Sequence, residues 1–69
     1  MRKLLLSLGW GIGDDCMWKE KGETIVYVNE DDGKFTNVTI WNKALSMDEI
    51  LICDKVNERV IKAIDELFE

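Results

Sequence analysis

The chain contains neither histidine nor proline, and it has only two cysteines among its 69 residues. Without histidine it lacks the side chain that most often serves as a general base and metal ligand near neutral pH. Ser7 and Ser46 are its only serines, so no Ser-His-Asp triad is available. Cys16 and Cys53 are too few for a structural zinc site. These absences predict a protein that is not an enzyme and needs no cofactor.

Long hydrophobic runs are also missing. No segment has the length needed to span a bilayer, and the leucine-rich stretch after Met1 stops at Gly9 without a small-residue cleavage site. We therefore expect a cytoplasmic protein whose two cysteines stay reduced, although the sequence leaves their pairing open. A chain of this length predicts a single domain, residues 1–69, with a small core.

Positive charge is scarce. Nine Lys and Arg residues face fourteen Asp and Glu residues, which gives a net charge of −5 and a pI near 4.6. Direct binding to nucleic acid or to an anionic membrane is disfavoured, because a phosphate-rich surface requires clustered basic side chains. The same charge is compatible with a partner protein that presents a basic surface.

The clearest pattern in the chain lies in its last third. Ser46 and Glu49 form a capping box, and the residues that follow predict one long amphipathic helix from Ser46 to Phe68, roughly 33 Å in length. Two residues break its pattern, since Asn57 falls within the apolar arc and Leu51 falls on the polar side. The apolar arc consists of Ile50, Cys53, Val56, Val60, Ile61, Ala63, Ile64, Leu67 and Phe68.

The segments upstream of this helix have β character. Residues 16–20, 23–29 and 35–41 predict three short antiparallel strands, with acidic residues and Gly33 in the second turn. Alternation of Leu4 to Leu8 favours a fourth strand, and a short helix is the alternative. The glycine-rich segment 9–13 is interpreted as a connector. The predicted fold is α+β: a small antiparallel meander of three to four strands packed against one long C-terminal amphipathic helix.

Strand alternation divides the central hairpin into two faces. One face is aliphatic and suited to lie under the helix; it contains Val26, Val28, Val38 and Ile40. The other face is too apolar for ordinary solvent exposure and is interpreted as an interface, since Tyr and Trp are favoured anchors there. The predicted partner-binding residues are the sheet-face anchors Tyr27, Phe35 and Trp41, the helix residue Leu51, and the steering carboxylates Glu30, Asp31 and Asp32.

These features favour a small acidic protein-interaction module or inhibitor, of a size common among phage and mobile-element accessory proteins. It would bind a partner protein with a basic surface, and homodimerisation is a linked hypothesis. An alternative is a nucleic-acid mimic that blocks a DNA- or RNA-handling enzyme, although interspersed basic residues disfavour it. A more remote alternative is a metal site formed by Asp14, Asp15 and the turn at residues 30–32, which lacks the spacing of a calcium loop.

Overall fold

A computed structural model describes residues 1–45 and 48–67. Within these residues, five strands form one sheet in the order β1-β2-β3-β4-β5, each antiparallel to its neighbour. Both described helices pack on the same face of this sheet. In chain order the elements are α1 (Arg2–Ser7), β1 (Gly11–Gly13), β2 (Cys16–Lys21), β3 (Thr24–Asp31), β4 (Lys34–Asn42), β5 (Ile50–Cys53) and α2 (Glu58–Leu67).

The predicted long helix from Ser46 to Phe68 is wrong. Ile50–Cys53 forms β5 and pairs with β4, and the C-terminal helix has only ten residues. The run Ile50-Leu51-Ile52-Cys53 is apolar at every position, and a short continuous apolar run of this kind is typical of a strand as well as of a helix segment. Ser46 and Met47 of the predicted capping box, and Phe68 at the helix end, lie outside the described residues.

The start of α2 explains the residue that did not fit the helical pattern. Asn57 is the N-cap: its side-chain oxygen accepts a hydrogen bond from the Val60 backbone N–H at 2.9 Å, and its carbonyl accepts one from Ile61 at 3.0 Å. Glu58 adds a carboxylate in the first turn, where the helix dipole favours it. A polar residue within an apolar arc therefore marked a boundary between two elements.

The N-terminal segment is the helix α1, so the preference for a strand there is wrong. Leu5 is fully buried, and Leu4 and Leu8 pack against the core beside it. The helix ends in a Schellman motif, in which Gly9 at φ 89° donates to the Leu6 carbonyl and Trp10 donates to the Leu5 carbonyl. Gly9, interpreted as part of a connector, is thus the C-terminal stop signal.

The three predicted strands are present as β2, β3 and β4, each within two residues of its predicted bounds. The turn between β3 and β4 contains Asp32 at φ 52° and Gly33 at φ 79°, the backbone pattern of a two-residue hairpin loop. Gly11–Gly13, expected to be a loop, forms the edge strand β1. The sheet therefore has five strands rather than three or four.

The core lies between the sheet and the two helices, on the aliphatic face that strand alternation predicted. Val26, Val28 and Val38 have no exposed surface, and Ile40 packs against them while remaining partly accessible. The fully covered side chains are Leu5, Met17, Val26, Val28, Val38 and Ile61. Burying each aliphatic side chain contributes about 1.5–3 kcal/mol, so this one face provides most of the hydrophobic stabilisation.

A β-bulge places Phe35 on the core face. The register of β3 and β4 shifts between Asn29 and Glu30. This shift leaves Thr36 without a cross-strand pairing partner and pairs Phe35 with Glu30. One extra residue reverses the direction of every side chain beyond it. Phe35 packs against the core, and the Arg2 guanidinium, which is paired with Glu30, lies 5.9 Å from the centre of its ring. The prediction that Phe35 shares a face with Tyr27 and Trp41 is wrong for this reason.

A buried polar cluster joins α2 to the rest of the molecule. Asp65 is 4% exposed and accepts hydrogen bonds from the Trp10 indole at 2.9 Å and from the Lys19 ammonium at 2.6 Å. Burial alone raises the pKa of Asp65, but these two hydrogen bonds and the Lys19 charge outweigh it, so its pKa lies below its ordinary value. Helical periodicity placed Asp65 on the polar side of the predicted helix, and its burial corrects that placement.

We expect Asp65→Asn to lower the free energy of unfolding at neutral pH by about 3 kcal/mol, because it leaves the largely buried Lys19 charge without its counter-ion. Urea denaturation measures the loss. Glu20→Gln is the matched control, since it breaks the exposed ion pair with Lys43 and is expected to change stability little. Equal losses in the two variants would contradict the structural role of Asp65.

Comparison of the wild type with Asp65→Asn also tests the pKa of Asp65. The pKa of Asp65 in the folded protein lies below its value in the unfolded chain. Its contribution to the free energy of unfolding is therefore fully present at pH values above the ordinary carboxyl pKa, and it is lost as the pH falls toward the folded pKa. The stability difference between wild type and Asp65→Asn should therefore be constant near neutral pH and shrink below about pH 4. A difference that grows on acidification would have the wrong sign.

Trp18 covers the glycines of β1 on the other side of the sheet. A Cβ atom built on Gly11 would lie 2.7 Å from Trp18 Cε2, and one on Gly13 would lie 2.9 Å from the Cys16 sulfur. Neither glycine leaves room for a side chain while the indole keeps this position. The absence of a side chain at Gly11 and Gly13 is therefore what lets a large aromatic ring lie against the edge strand.

Gly11→Ala should destabilise the protein by about 1–3 kcal/mol, because the new methyl group displaces the Trp18 ring. Trp18→Val should suppress most of this effect, so a double-mutant cycle read by thermal or urea unfolding should show a coupling of more than about 0.5 kcal/mol. Additive losses in the double variant would show that Gly11 is not required by Trp18.

Candidate functional site

The sheet face opposite the helices, called the open face here, is covered by neither described helix. Register aligns its side chains in rows across the strands. Its middle row runs from Trp18 through Tyr27 and Thr39 to Leu51, which is 58% exposed. The other open-face positions are Gly11, Gly13, Cys16, Glu20, Ile25, Asn29, Asn37 and Trp41. Aromatic groups thus recur over a surface that solvent reaches.

A depression of about 610 Å³ lies in this face. Tyr27 and Trp41 are its aromatic lining. Tyr27 pairs with Thr39 and Trp41 pairs with Ile25, so the two aromatic residues are diagonal neighbours on adjacent strands. Four carboxylates line it as well: Asp14, Asp15, Asp48 and Glu49. The remaining lining residues are Cys16 and Asn29. None of these eight described residues carries a positive charge.

A chain of hydrogen bonds across the sheet positions one of the carboxylates. The Asn29 side-chain N–H₂ donates to Asn37 at 2.8 Å and to the Thr39 hydroxyl at 3.0 Å. The Thr39 hydroxyl in turn donates to the Glu49 carboxylate at 3.1 Å. Glu49 precedes β5, so the network holds the start of that strand against the middle of the open face. The carboxylate is therefore oriented by the sheet itself.

The depression has a negative electrostatic environment. The pKa of the Cys16 thiol is raised, first by burial and then by the charges of Glu49, Asp14 and Asp15. The pKa of the Tyr27 hydroxyl is raised in the same way, by burial and then by Glu49. Both groups are thus held in their neutral forms. The same carboxylates favour the binding of a positively charged group in the depression.

The acidic turns gather at one end of the sheet. The turn between β1 and β2 contains Asp14 and Asp15, and the Asp15 carbonyl accepts a hydrogen bond from the Glu30 backbone N–H at 2.8 Å. Asp31 and Asp32 follow Glu30 directly and are exposed. Antiparallel pairing thereby brings two acidic turns, separated by sixteen residues in sequence, to the same end of the open face.

The seven residues predicted to bind a partner occupy three places. Tyr27, Trp41 and Leu51 lie on the open face, and the first two line the depression. Asp31 and Asp32 lie at its acidic end. Phe35 and Glu30 lie on the core side, where both contact Arg2, so the structure does not bring them together with the aromatic lining.

Four carboxylates of the depression were not among the predicted binding residues: Asp14, Asp15, Asp48 and Glu49. Asp14 and Asp15 were considered only in the remote alternative of a metal site, and Glu49 was interpreted as part of a helix cap. A sequence signal did exist, since two acidic pairs directly precede strands β2 and β5. It becomes visible only when residues 50–53 are recognised as a strand in the same sheet.

The arrangement suits electrostatic and aromatic recognition rather than metal binding. Within residues 1–45 and 48–67, no three carboxylate or thiol side chains converge closely enough to hold a metal ion. Carboxylates around partly exposed aromatic rings form the environment that binds ammonium and guanidinium groups, through ion pairs and cation–π contacts. The depression is therefore a candidate site for a basic side chain.

Comparison of the chain with protein-family models, curated proteins and solved structures finds no match. Among the described residues, neither α1 nor α2 is long and apolar enough to cross a membrane.

The reactivity of Cys16 reports the field in the depression. We expect the rate of iodoacetamide alkylation, measured against pH in a Cys53→Ser background, to give a pKa above that of an ordinary thiol. Glu49→Gln should lower this pKa, because among the neighbouring charges that of Glu49 raises the thiol pKa most. Glu23→Gln, a change at the opposite end of the sheet, is the control, and equal shifts in both variants would contradict the assignment.

Proposed function

We propose that this chain is a small protein-interaction module that binds a basic segment of a partner protein on its open face. The observation that carries the proposal is the depression, in which Tyr27 and Trp41 lie among four carboxylates with no basic residue in the lining. Covering a partner's basic surface would block that surface, so the module would act as an inhibitor.

The distribution of charge supports a basic partner. Arg2, Lys19 and Lys43, three of the nine basic residues, are already in ion pairs. Glu30, by contrast, is neutralised by Arg2, while Asp14, Asp15, Asp31 and Asp32 remain exposed at one end of the face. An excess of negative charge at one end of a binding surface accelerates association with an oppositely charged partner.

The aromatic lining supports a specific contact rather than general attraction. Tyr27 and Trp41 sit on adjacent central strands of a hydrogen-bonded sheet, so their positions are set before a partner arrives. Rigid aromatic side chains lose little conformational entropy on binding and are common anchors of interfaces. A guanidinium or ammonium group between them and Glu49 would make a cation–π contact and an ion pair together.

We expect the module to act in the cytoplasm, where thiols remain reduced. Cys16 lies on the open face and Cys53 packs on the core side, and both are free thiols. Oxidation is thus not needed to hold the fold together, which supports this location.

The proposal is tested with immobilised short peptides of randomised sequence that differ only in one fixed central residue: Arg, Lys, Glu or Leu. We expect the wild-type chain to bind the Arg and Lys sets and not the Glu or Leu sets. Trp41→Ala and Asp15→Asn should each weaken binding about tenfold, which corresponds to about 1.4 kcal/mol.

Phe35→Leu and Glu66→Gln are the matched controls, since the first changes an aromatic residue on the core side and the second removes an exposed charge on α2. Both should bind the basic peptides as wild type does, with folding of every variant checked by circular dichroism. Equal binding to all four peptide sets, or equal losses in Trp41→Ala and Phe35→Leu, would overturn the proposal.

A further inference from the structure

The edge strand β5 is apolar but largely exposed to solvent. β5 consists of Ile50, Leu51, Ile52 and Cys53, and within the described residues no strand pairs with its outer edge. The first three side chains are 46%, 58% and 46% exposed. Natural edge strands are commonly protected by charge, proline, short length or a β-bulge. β5 has no charged residue and no proline, but it has only four residues and a register shift at Ile52.

An apolar groove lies directly beside this edge, on the helix side of the sheet. Its volume is about 470 Å³, and α2 contributes one wall. The lining is almost entirely aliphatic and consists of Ile40, Ile52, Cys53, Val60, Ala63, Ile64 and Leu67. A strand added along β5 would direct every second side chain into this groove.

The opposite side of the same edge has different chemistry. Leu51 faces the open side, because it pairs with Thr39, and Asp48 and Glu49 lie next to it on the border of the acidic depression. The intervening side chains of an added strand would therefore meet carboxylates. β5 thus separates an apolar groove from an acidic surface, and an extended segment paired with it would contact both.

We propose that the partner segment binds by strand addition to β5, as an extended peptide in which aliphatic and basic residues alternate. Its aliphatic residues enter the groove beside α2, and its basic residues face Asp48 and Glu49 on the open side. Backbone hydrogen bonds to the outer edge of β5 supply affinity, and the two different sides supply specificity. This inference rests on the proposed function and adds the conformation and the sequence pattern of the ligand.

Charge selects this occupant over a second copy of the chain. Asp48 and Glu49 precede β5 and Asp54 follows it, so antiparallel pairing of two β5 strands would bring acidic residues of both copies to one seam. Each copy also carries a net charge of −5. Like charges near paired strands are destabilising, whereas a basic segment is attracted by the same residues.

The test uses a synthetic peptide of alternating Lys and Val and a second peptide with the same composition in two blocks. Isothermal titration calorimetry should show at least about tenfold tighter binding of the alternating peptide. N-methylation of alternate backbone nitrogens removes donors along one edge of the peptide. Methylation of the alternate nitrogens that face β5 should abolish binding. Methylation of the other set, which places the methyl groups on the outer edge of the peptide, should not.

Two protein variants locate the binding site. Ala63→Asp places a charge in the groove from an exposed helix position, and Leu51→Glu adds a carboxylate on the open side of β5. The first should weaken binding of the alternating peptide about tenfold or more, and the second should strengthen it, because it adds negative charge where the basic residues of the peptide lie. Circular dichroism and thermal unfolding check that both variants are folded.

The outcomes separate this inference from the function on which it rests. Binding of both peptides with equal affinity, indifference to both methylation phases, and retention in Ala63→Asp would each overturn strand addition while a basic ligand on the open face still stands. Sedimentation that shows a dimer, with no competition by the peptide, would assign β5 to a second copy and overturn it too. If no basic peptide binds, the proposed function fails first.

Discussion

The hydrogen bonds that Asp65 accepts from Trp10 and Lys19 join three parts of the chain that share no strand pairing. Trp10 follows α1, Lys19 belongs to β2 and Asp65 belongs to α2, so one carboxylate sets where both helices meet the sheet. In a chain of 69 residues the aliphatic core is small, and a buried carboxylate without partners would be too costly to retain. The cluster holds the helices on one face and thereby leaves the other face uncovered.

This one-sided arrangement divides the molecule by chemistry as well as by position. Aliphatic residues from β2, β3 and β4 are covered by the helices, while Tyr27 and Trp41 share the open face with most of the acidic turn residues. Because the two faces alternate residue by residue along each strand, the surface proposed to contact a partner and the surface that stabilises the fold come from the same short segments. Substitutions such as Trp41→Ala and Val26→Ala are therefore expected to affect different properties, although both residues lie on the central hairpin.

The central hairpin could be predicted from the sequence, because β-branched residues, alternation and the Asp32-Gly33 turn all indicate the same structure. The end of the chain could not, since Ile50 to Cys53 fits helical spacing when it is joined to the residues after it. Only the N-cap role of Asn57 and pairing with β4 separate the two elements. Phe35 was misplaced for a different reason: the unpaired residue Thr36 produces a bulge that no local pattern announces. Of the depression, the aromatic lining was predicted, whereas the carboxylates before β2 and β5 depend on which strands are neighbours.

The two edges of the sheet are unequal, and this has a consequence for assembly. β1 has three residues, two of them glycines beneath the Trp18 ring, and it ends at the Asp14-Asp15 turn. β5 is apolar and lies beside a groove. Filaments grow when the surface gained at one end of a molecule is offered again at the other. A strand bound at β5 would leave β1 as the far edge, and this edge has three residues, of which only Ile12 carries a side chain. If strand addition at β5 occurs as proposed, it would therefore end after one strand and would not lead to polymerisation.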